Sequence, residues 1–272
     1  MRVRRRASEV ARVFQEICPL GSGIEKDEEG FVFGDPDRMI SRIGCLWSVD
    51  GASLKRCLAH GLEMVFCHES IWLPVWNSQW YTAPSASEVT PHKLRRELLE
   101  RGGLVVYRCH SGWDALPQDG VSDQAVAALG LPGLRTVARE KFFSVVELPE
   151  PIEISNLARL VSEGLGFPGV RTYGDARKCV RRFSFLIGGF GENQFHMPQA
   201  AHALGAEAIV MGEMTEPIVL AALDMGMPVI ESLHSVSEIP ALRRQAELLG
   251  ERLPGMHVEY VPSGAAAYGL PL

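Results

Sequence analysis

Three short apolar runs in this sequence each end in a histidine, and a carboxylate follows each histidine within four positions. Leu62-Glu63-Met64-Val65-Phe66-Cys67 leads into His68 and Glu69, and Leu104-Val105-Val106-Tyr107-Arg108-Cys109 into His110 with Asp114. Met227-Pro228-Val229-Ile230-Glu231-Ser232-Leu233 leads into His234 with Glu238. Runs this short, and this rich in β-branched and aromatic residues, read as buried strands. In open α/β sheets functional groups gather beyond the carboxyl ends of the strands, where the loops ring a crevice. The three pairs occupy such ends and are expected to form one site.

The segments between them complete the fold class. Helices are expected over residues 7–17, 53–61, 90–100, 122–129, 155–164, 193–204, 217–225 and 237–251. Besides the histidine runs, strands are expected over 42–49, 141–148, 170–173, 182–187, 208–211 and 258–261. Thr90 and Pro91 make an N-cap and N1 pair, and Gly102-Gly103 stops the helix they open. Strands alternating with helices indicate an α/β fold with parallel or mixed sheets. The rhythm is similar in both halves, so two α/β lobes are expected. One is residues 1–130 completed by 228–272, with most of the candidate ligands; the other is residues 131–227. Residues 21–37 form an acidic, irregular stretch with Gly-Ser-Gly and Gly-Asp-Pro turn signals.

At 272 residues and 46% hydrophobic, the chain can bury one large core or two medium ones. A formal net charge of -6 argues against a nucleic-acid binder, which would show a basic stripe. Arg2, Arg4, Arg5 and Arg6 are expected to be a solvated tail; no apolar run of signal or transmembrane length follows them. The six cysteines, Cys18, Cys45, Cys57, Cys67, Cys109 and Cys179, include no Cys-x-x-Cys pair, which argues against a zinc ribbon or a disulfide framework. They are expected to be small buried hydrophobes in a reducing compartment, the cytoplasm. Trp72, Trp76, Trp80 and Tyr81 share a segment without a clean period, which suits a lid, a hydrophobic plug or a subunit contact. Gly188-Gly189-Phe190-Gly191 lacks the lysine of a P-loop, so a tight turn is expected there rather than a phosphate cradle.

His234 and Glu238 lie four apart where a helix is expected to begin, so their side chains share a face and can close on one ion. His110 and Asp114 have the same spacing, with Gly112 between them favouring a loop. Imidazoles mixed with carboxylates suit zinc, iron, manganese or nickel better than calcium, which takes oxygen ligands. One strand-end histidine is most often a core residue; three with carboxylate company point to a metal site. His60, His92, His196, His202 and His257 lack that company and are expected to be structural or exposed.

Taken in order, these elements resemble the Nif-three-like dinuclear metal-centre family, whose members are often labelled as resembling a type 2 GTP cyclohydrolase. The family pattern is an apolar strand ending in His-His-Pro, then His-Thr-Asn-Leu-Asp, Thr-Gly-Glu and Gly-His-x-x-Ser-Glu. Here His68-Glu69-Ser70 stands at the first element and His110-Ser111-Gly112-Trp113-Asp114 at the second. Met211-Gly212-Glu213 stands at the third and Leu233-His234-Ser235-Val236-Ser237-Glu238 at the last. Gly120-Val121-Ser122-Asp123 is similar to the family's Gly-Val-Asn-Asp, and residues 171–191, with Tyr173-Gly174-Asp175, to its central segment; the likeness spans about residues 40–265. Glu69 replaces an imidazole, which adds negative charge and is expected to favour a harder metal or alter the bridging geometry. Placing Cys67-His68 on the two histidines instead fits the apolar run less well. The family's Asp-Asn-Val-Gly element and the histidine after Thr-Gly-Glu are absent.

The resemblance implies two intertwined α/β lobes with mixed sheets and a ring-shaped homohexamer. It also implies two divalent metal ions held by His68, Glu69, His110, Asp114, His234 and Glu238, with Asp114 or Glu238 bridging. Two such ions, about 3.5–4 Å apart, would share a water in the arrangement used for hydrolysis. Glu213 is the candidate for proton transfer or for support of the ligands. The expected function is a cytoplasmic metal-dependent hydrolase acting on a small phosphorylated or nucleotide-like substrate. The alternatives are a non-catalytic oligomer that stores, delivers or senses metal, and a scaffold whose lobes the metal joins. Neither a membrane nor nucleic acid is an expected partner.

Overall fold

The computed structural model describes residues 3–74, 82–191 and 194–268. The chain forms two compact units, one made by the chain up to Trp113 with Leu242–Tyr268, the other by Asp114–Ala241. In chain order the elements are β1 (Arg5–Arg6), α1 (Ala7–Ile17), β2 (Gly30–Phe33), β3 (Met39–Ile40), β4 (Arg42–Leu46), α2 (Gly51–Ala59), β5 (Met64–Cys67), α3 (Thr90–Gly102), β6 (Val105–Arg108) and α4 (Ser111–Ala115). Then come α5 (Val121–Ala128), β7 (Arg135–Arg139), β8 (Phe143–Glu153), α6 (Ile154–Leu165), β9 (Arg171–Tyr173), β10 (Cys179–Phe190), α7 (His196–Ala203), β11 (Ile209–Met214), α8 (Glu216–Asp224), β12 (Val229–Glu231), α9 (His234–Arg252) and β13 (His257–Tyr260).

In the first unit the sheet order is β13–β4–β5–β6–β2, parallel except for β2. The side chains of β5 alternate between two cores, as the two-residue period of a strand requires. Val65 and Cys67 join Leu54, Leu98 and Leu99 from α2 and α3, while Phe66 packs on Phe14 of α1 with ring centroids 4.7 Å apart. Helices on both faces leave the central strands no polar side, which explains their unbroken apolar runs. Helix α1 buries Ala7, Val10, Ala11 and Phe14, the i, i+3, i+4, i+7 spacing of one helix face. Asp50 caps α2, its Oδ1 accepting from Ala52 N and Ser53 N at 2.9 Å each. Its Oδ2 accepts from Ser48 Oγ at 3.0 Å and Gly264 N at 3.2 Å. Asp50→Ala should therefore lower stability by about 1–2 kcal/mol in urea unfolding; an unchanged midpoint would mean that the cap is dispensable.

Several local expectations change in this unit. Arg4, Arg5 and Arg6 are not a loose tail, whereas Arg2 lies outside the described residues: β1 pairs with β3, Arg4 donates to Met39 O and Glu63, and Arg6 pairs with Asp37 at 3.2 Å. The acidic stretch contains β2, which pairs with β6. Helix α3 takes Val89 as its N-cap, one residue before Thr90, and Gly103 at φ +55 ends it. Trp72 stands edge-on to His92, with centroids 5.4 Å apart; Trp76, Trp80 and Tyr81 lie outside the described residues. His92 is structural, its Nδ1 bound to Ala86 O at 2.7 Å and its Nε2 accepting from Leu73 N at 2.9 Å.

The second unit holds a mixed sheet of order β7–β8–β10–β11–β12–β9. Strands β10, β11 and β12 run parallel, flanked by antiparallel β8 and β9. Phe143, Leu186, Ile209, Met211, Val219 and Val229 are among its core residues. The unit boundaries fall after Trp113 and Ala241, not at the expected 130/131 and 227/228. The reason is that α5 packs on β8 and β10, and β12 pairs with β11 and β9. Strand β7 is an addition, mostly exposed and without apolar alternation. The glycine-rich segment is not a turn, because β10 continues through it to Phe190. Its register shifts between Leu186 and Gly189, so that Ile187 and Gly188 together oppose Gly212, as in a β-bulge. Five cysteines are buried and Cys179 is exposed. Among the described residues, no helix is long and apolar enough to cross a membrane.

Candidate metal centre

Parallel pairing of β5 with β6 delivers His68 and His110 side by side, their ring centroids 4.9 Å apart. One ligand atom each from His68, Glu69 and His110 lie within 4.8 Å of one another. His68 is fully buried, with Nδ1 3.2 Å from the Cys109 carbonyl oxygen. A carbonyl only accepts, so Nδ1 donates the proton in this contact.

His110 is held in the same way by a residue that sequence reading did not single out. Its Nδ1 lies 2.8 Å from Asp27 Oδ2, which also accepts from Ser111 N at 3.1 Å and Ser111 Oγ at 2.6 Å. Asp27 Oδ1 takes Arg108 Nη1 at 2.7 Å. Burial works to raise the Asp27 carboxyl, but hydrogen bonds from His110, Ser111 and Arg108 hold it well below the usual carboxylate range. Glu29 Oε1 accepts from His110 N at 3.1 Å and Gly112 N at 2.9 Å. A Cβ on Gly23 would overlap Ser111, so only glycine allows the loop to approach the turn this closely. The acidic stretch is thus a clamp on the turn that carries His110. Asp27→Ala should weaken metal binding about 10–100-fold. It should also cost about 3 kcal/mol, because the buried Arg108 loses its counter-charge. Chelator competition and denaturant unfolding measure the two effects; wild-type affinity would show that His110 needs no support.

In the second unit, β12 ends at Glu231 and the chain turns into His234, the first residue of α9. The helix therefore starts before the expected residue 237 and includes both His234 and Glu238. His234 Nδ1 lies 3.1 Å from Glu213 Oε1, and its Nε2 lies 3.2 Å from Glu238 Oε1, one turn along the helix. The hydrogen bond from His234 holds the Glu213 carboxyl below its ordinary value, against its partial burial. Ionised carboxylates only accept, so with Nδ1–H directed at Glu213 a cation has to stand between Nε2 and Glu238, either a proton or a metal ion. A Cβ on Gly188 would sit 2.6 Å from Glu238 Oε1 and 2.9 Å from His234 Nε2, and one on Gly189 2.8 Å from Glu213 Oε1. The bulge and its glycines make the room that these side chains occupy. Asp114 is buried in α4. A cavity of about 450 Å³ lies beside His234, lined also by Arg171, Phe190, Thr215 and Glu231.

The six expected ligands thus divide evenly, with His68, Glu69 and His110 in the first unit and Asp114, His234 and Glu238 in the second. All three histidines present Nδ1 to an acceptor: the Cys109 carbonyl, Asp27 and Glu213. Proteins orient and polarise metal-ligating imidazoles in this way, and the donor set fits a divalent transition metal. The Duf34/NIF3 (NGG1p interacting factor 3) family profile matches residues 5–266. The chain belongs to that family.

Several curated proteins and solved structures resemble the chain along most of their length. A GTP cyclohydrolase 1 type 2 homolog of Clostridium perfringens (strain 13 / Type A) is 24% identical over 267 residues, 95% of this chain and 96% of that protein. A protein of the same name from Streptomyces coelicolor is 25% identical over 259 residues, 90% of this chain and 86% of that protein. The crystal structure of a Bacillus cereus protein related to NIF3 superposes with a TM-score of 0.79 at 14% identity, covering 96% of this chain and 98% of the other. Reduced HcgD from Methanocaldococcus jannaschii gives 0.73 at 16% identity, covering 97% and 100%. These superpositions establish the Duf34/NIF3 α/β fold with its mixed sheets.

Proposed function

We propose that this Duf34/NIF3 chain binds two divalent ions, of zinc, iron, manganese or nickel, through His68, Glu69, His110, Asp114, His234 and Glu238. We further propose that it hydrolyses a small phosphorylated or nucleotide-like substrate. The observation that carries the metal reading is the support at Nδ1 shared by all three histidines. The hydrolase reading draws on the name of the relatives, GTP cyclohydrolase 1 type 2 homolog. Paired divalent ions, when bound, lower the pKa of a shared water toward ~7 and so supply hydroxide. The chain's own part is orientation. Asp27, Glu213 and the Cys109 carbonyl fix the imidazoles, and Glu69 adds a negative donor. Arg171, beside the cavity and paired with Glu231 at 3.0 Å, offers its guanidinium to an anionic group. The homohexamer implied by the resemblance belongs to the same proposal, and light scattering on the eluted protein tests it.

Elemental analysis of protein purified without chelators should find two ions per chain, and the loaded protein should turn over phosphomonoesters or nucleotides. A chain that loads no metal would sink the proposal. Glu69→His should retain the metal and shift preference toward softer ions; if Glu69→His and Glu69→Ala both match wild type in content and preference, Glu69 is not a ligand.

The Glu213–His234 hydrogen bond favours a second reading, because it engages Glu213 in holding the imidazole rather than in carrying a proton. A metal-storing, delivering or regulatory oligomer would load fully, exchange its ions readily with chelators and show no turnover.

A further inference from the structure

Cys18 and Cys109 stand sulfur to sulfur in the first unit, with Sγ atoms 3.6 Å apart and both residues buried. Cys18 is the C-cap of α1, and Cys109 follows β6. Both adjoin the candidate ligands. The carbonyl of Cys109 is the acceptor that holds His68 Nδ1 at 3.2 Å, and the next residue is His110. Cys18 packs on the same turn from below, where a Cβ on Gly112 would fall 3.1 Å from its Sγ. Cys57 and Cys67 differ, since burial pushes their thiols up to about 12. The contact with Cys109 instead holds the Cys18 thiol below its ordinary value, against burial.

We propose that Cys18 and Cys109 are a redox pair, joined as a disulfide by a hydroperoxide, and that the bond loosens metal held by His68 and His110. One sulfur attacks the peroxide, takes an oxygen as sulfenic acid and releases water or an alcohol. The second sulfur attacks the sulfenic sulfur, the S–S bond forms, and the oxygen leaves as water. Two thiols thus give up two electrons and two protons, and the peroxide is reduced. A disulfide bond is about 2.05 Å long, so the sulfurs close by roughly 1.5 Å. That movement draws on Cys109, and hence on the carbonyl that orients His68 and on the backbone entering His110. The disulfide stands independently of the metal reading, whereas the loosening rests on it.

The test uses the full chain as Cys179→Ser, which removes the exposed thiol, reduced and loaded with zinc. Hydrogen peroxide treatment, alkylation and peptide mapping should show a loss of about 2 Da with Cys18 cross-linked to Cys109. Zinc affinity, from chelator competition, should fall about tenfold or more, and dithiothreitol should restore both values. Cys18→Ser should abolish both changes, and Cys109→Ala serves the same purpose if that variant does not fold. Recovery of both thiols in alkylated form, or cross-linking of a different pair, overturns the proposal. A mapped Cys18–Cys109 bond with unchanged zinc affinity overturns the switch while leaving the metal reading intact. Reduced protein that binds no zinc yet still cross-links sustains the redox pair and overturns the metal reading with the loosening.

Discussion

His110→Ala will bind metal more than about 100-fold more weakly than the parent, a larger loss than removing a group that only supports a ligand. Its thermal unfolding will stay close to that of the parent. The reason lies in what the variant leaves behind. Asp27 retains Arg108 at 2.7 Å and the Ser111 hydroxyl at 2.6 Å, so the half-buried carboxylate remains satisfied. The imidazole itself is partly exposed and fills no core. Asp27→Ala removes the supporting carboxylate and strands Arg108, so it should cost stability, whereas His110→Ala should cost chiefly metal. Elemental analysis after exhaustive dialysis, paired with a melting curve, separates the two. An unchanged metal content in His110→Ala would refute His110 as a ligand.

Gly188→Ala should damage both the second sheet and its ligands. Gly188 has φ +62, where an L side chain is strained, and the new methyl would press on Glu238 Oε1 and His234 Nε2. Together these should destabilise the protein by about 2–4 kcal/mol and displace the His234–Glu238 pair. Gly226→Ala is the matched control. Its φ is +78, but nothing lies within 4 Å of the added Cβ. It should show backbone strain alone, about 1–2 kcal/mol, with metal affinity intact. If the two variants lose stability equally and both bind metal normally, the glycines of the bulge are not making room for the ligands.

Much of the first unit was legible because its signals are periodic. Helix α1 carries a regular apolar stripe and begins and ends as expected, and the two histidine runs of this unit, β5 and β6, are strands because helices cover both faces of their sheet. Asp27 was hidden by its setting: Glu25, Glu28 and Glu29 surround it, and no local spacing tells which acid turns inward toward residue 110. Strand β7 is an exposed edge, so it lacks the alternation that burial imposes. The glycines before residue 192 were visible, but their meaning depends on His234 and Glu238, which approach from a helix more than forty positions later. The boundaries between units moved for a similar reason, since which sheet α5 and β12 join is decided by tertiary pairing.

The place of β13 has a consequence for the nascent chain. Strand β4 pairs with β13 through Arg42 and His257, about 215 residues further along. At ribosomal rates of roughly 5–20 residues per second, one edge of β4 waits on the order of 10–40 seconds for its partner. The second unit, whose described residues all fall within Asp114–Ala241, has no such delay and can close first. During that interval β4 offers an open hydrogen-bonding edge backed by apolar side chains, a template for mispairing with other chains. Chaperone dependence and cotranslational aggregation of this protein should therefore originate in the half of the chain that is made first and finished last.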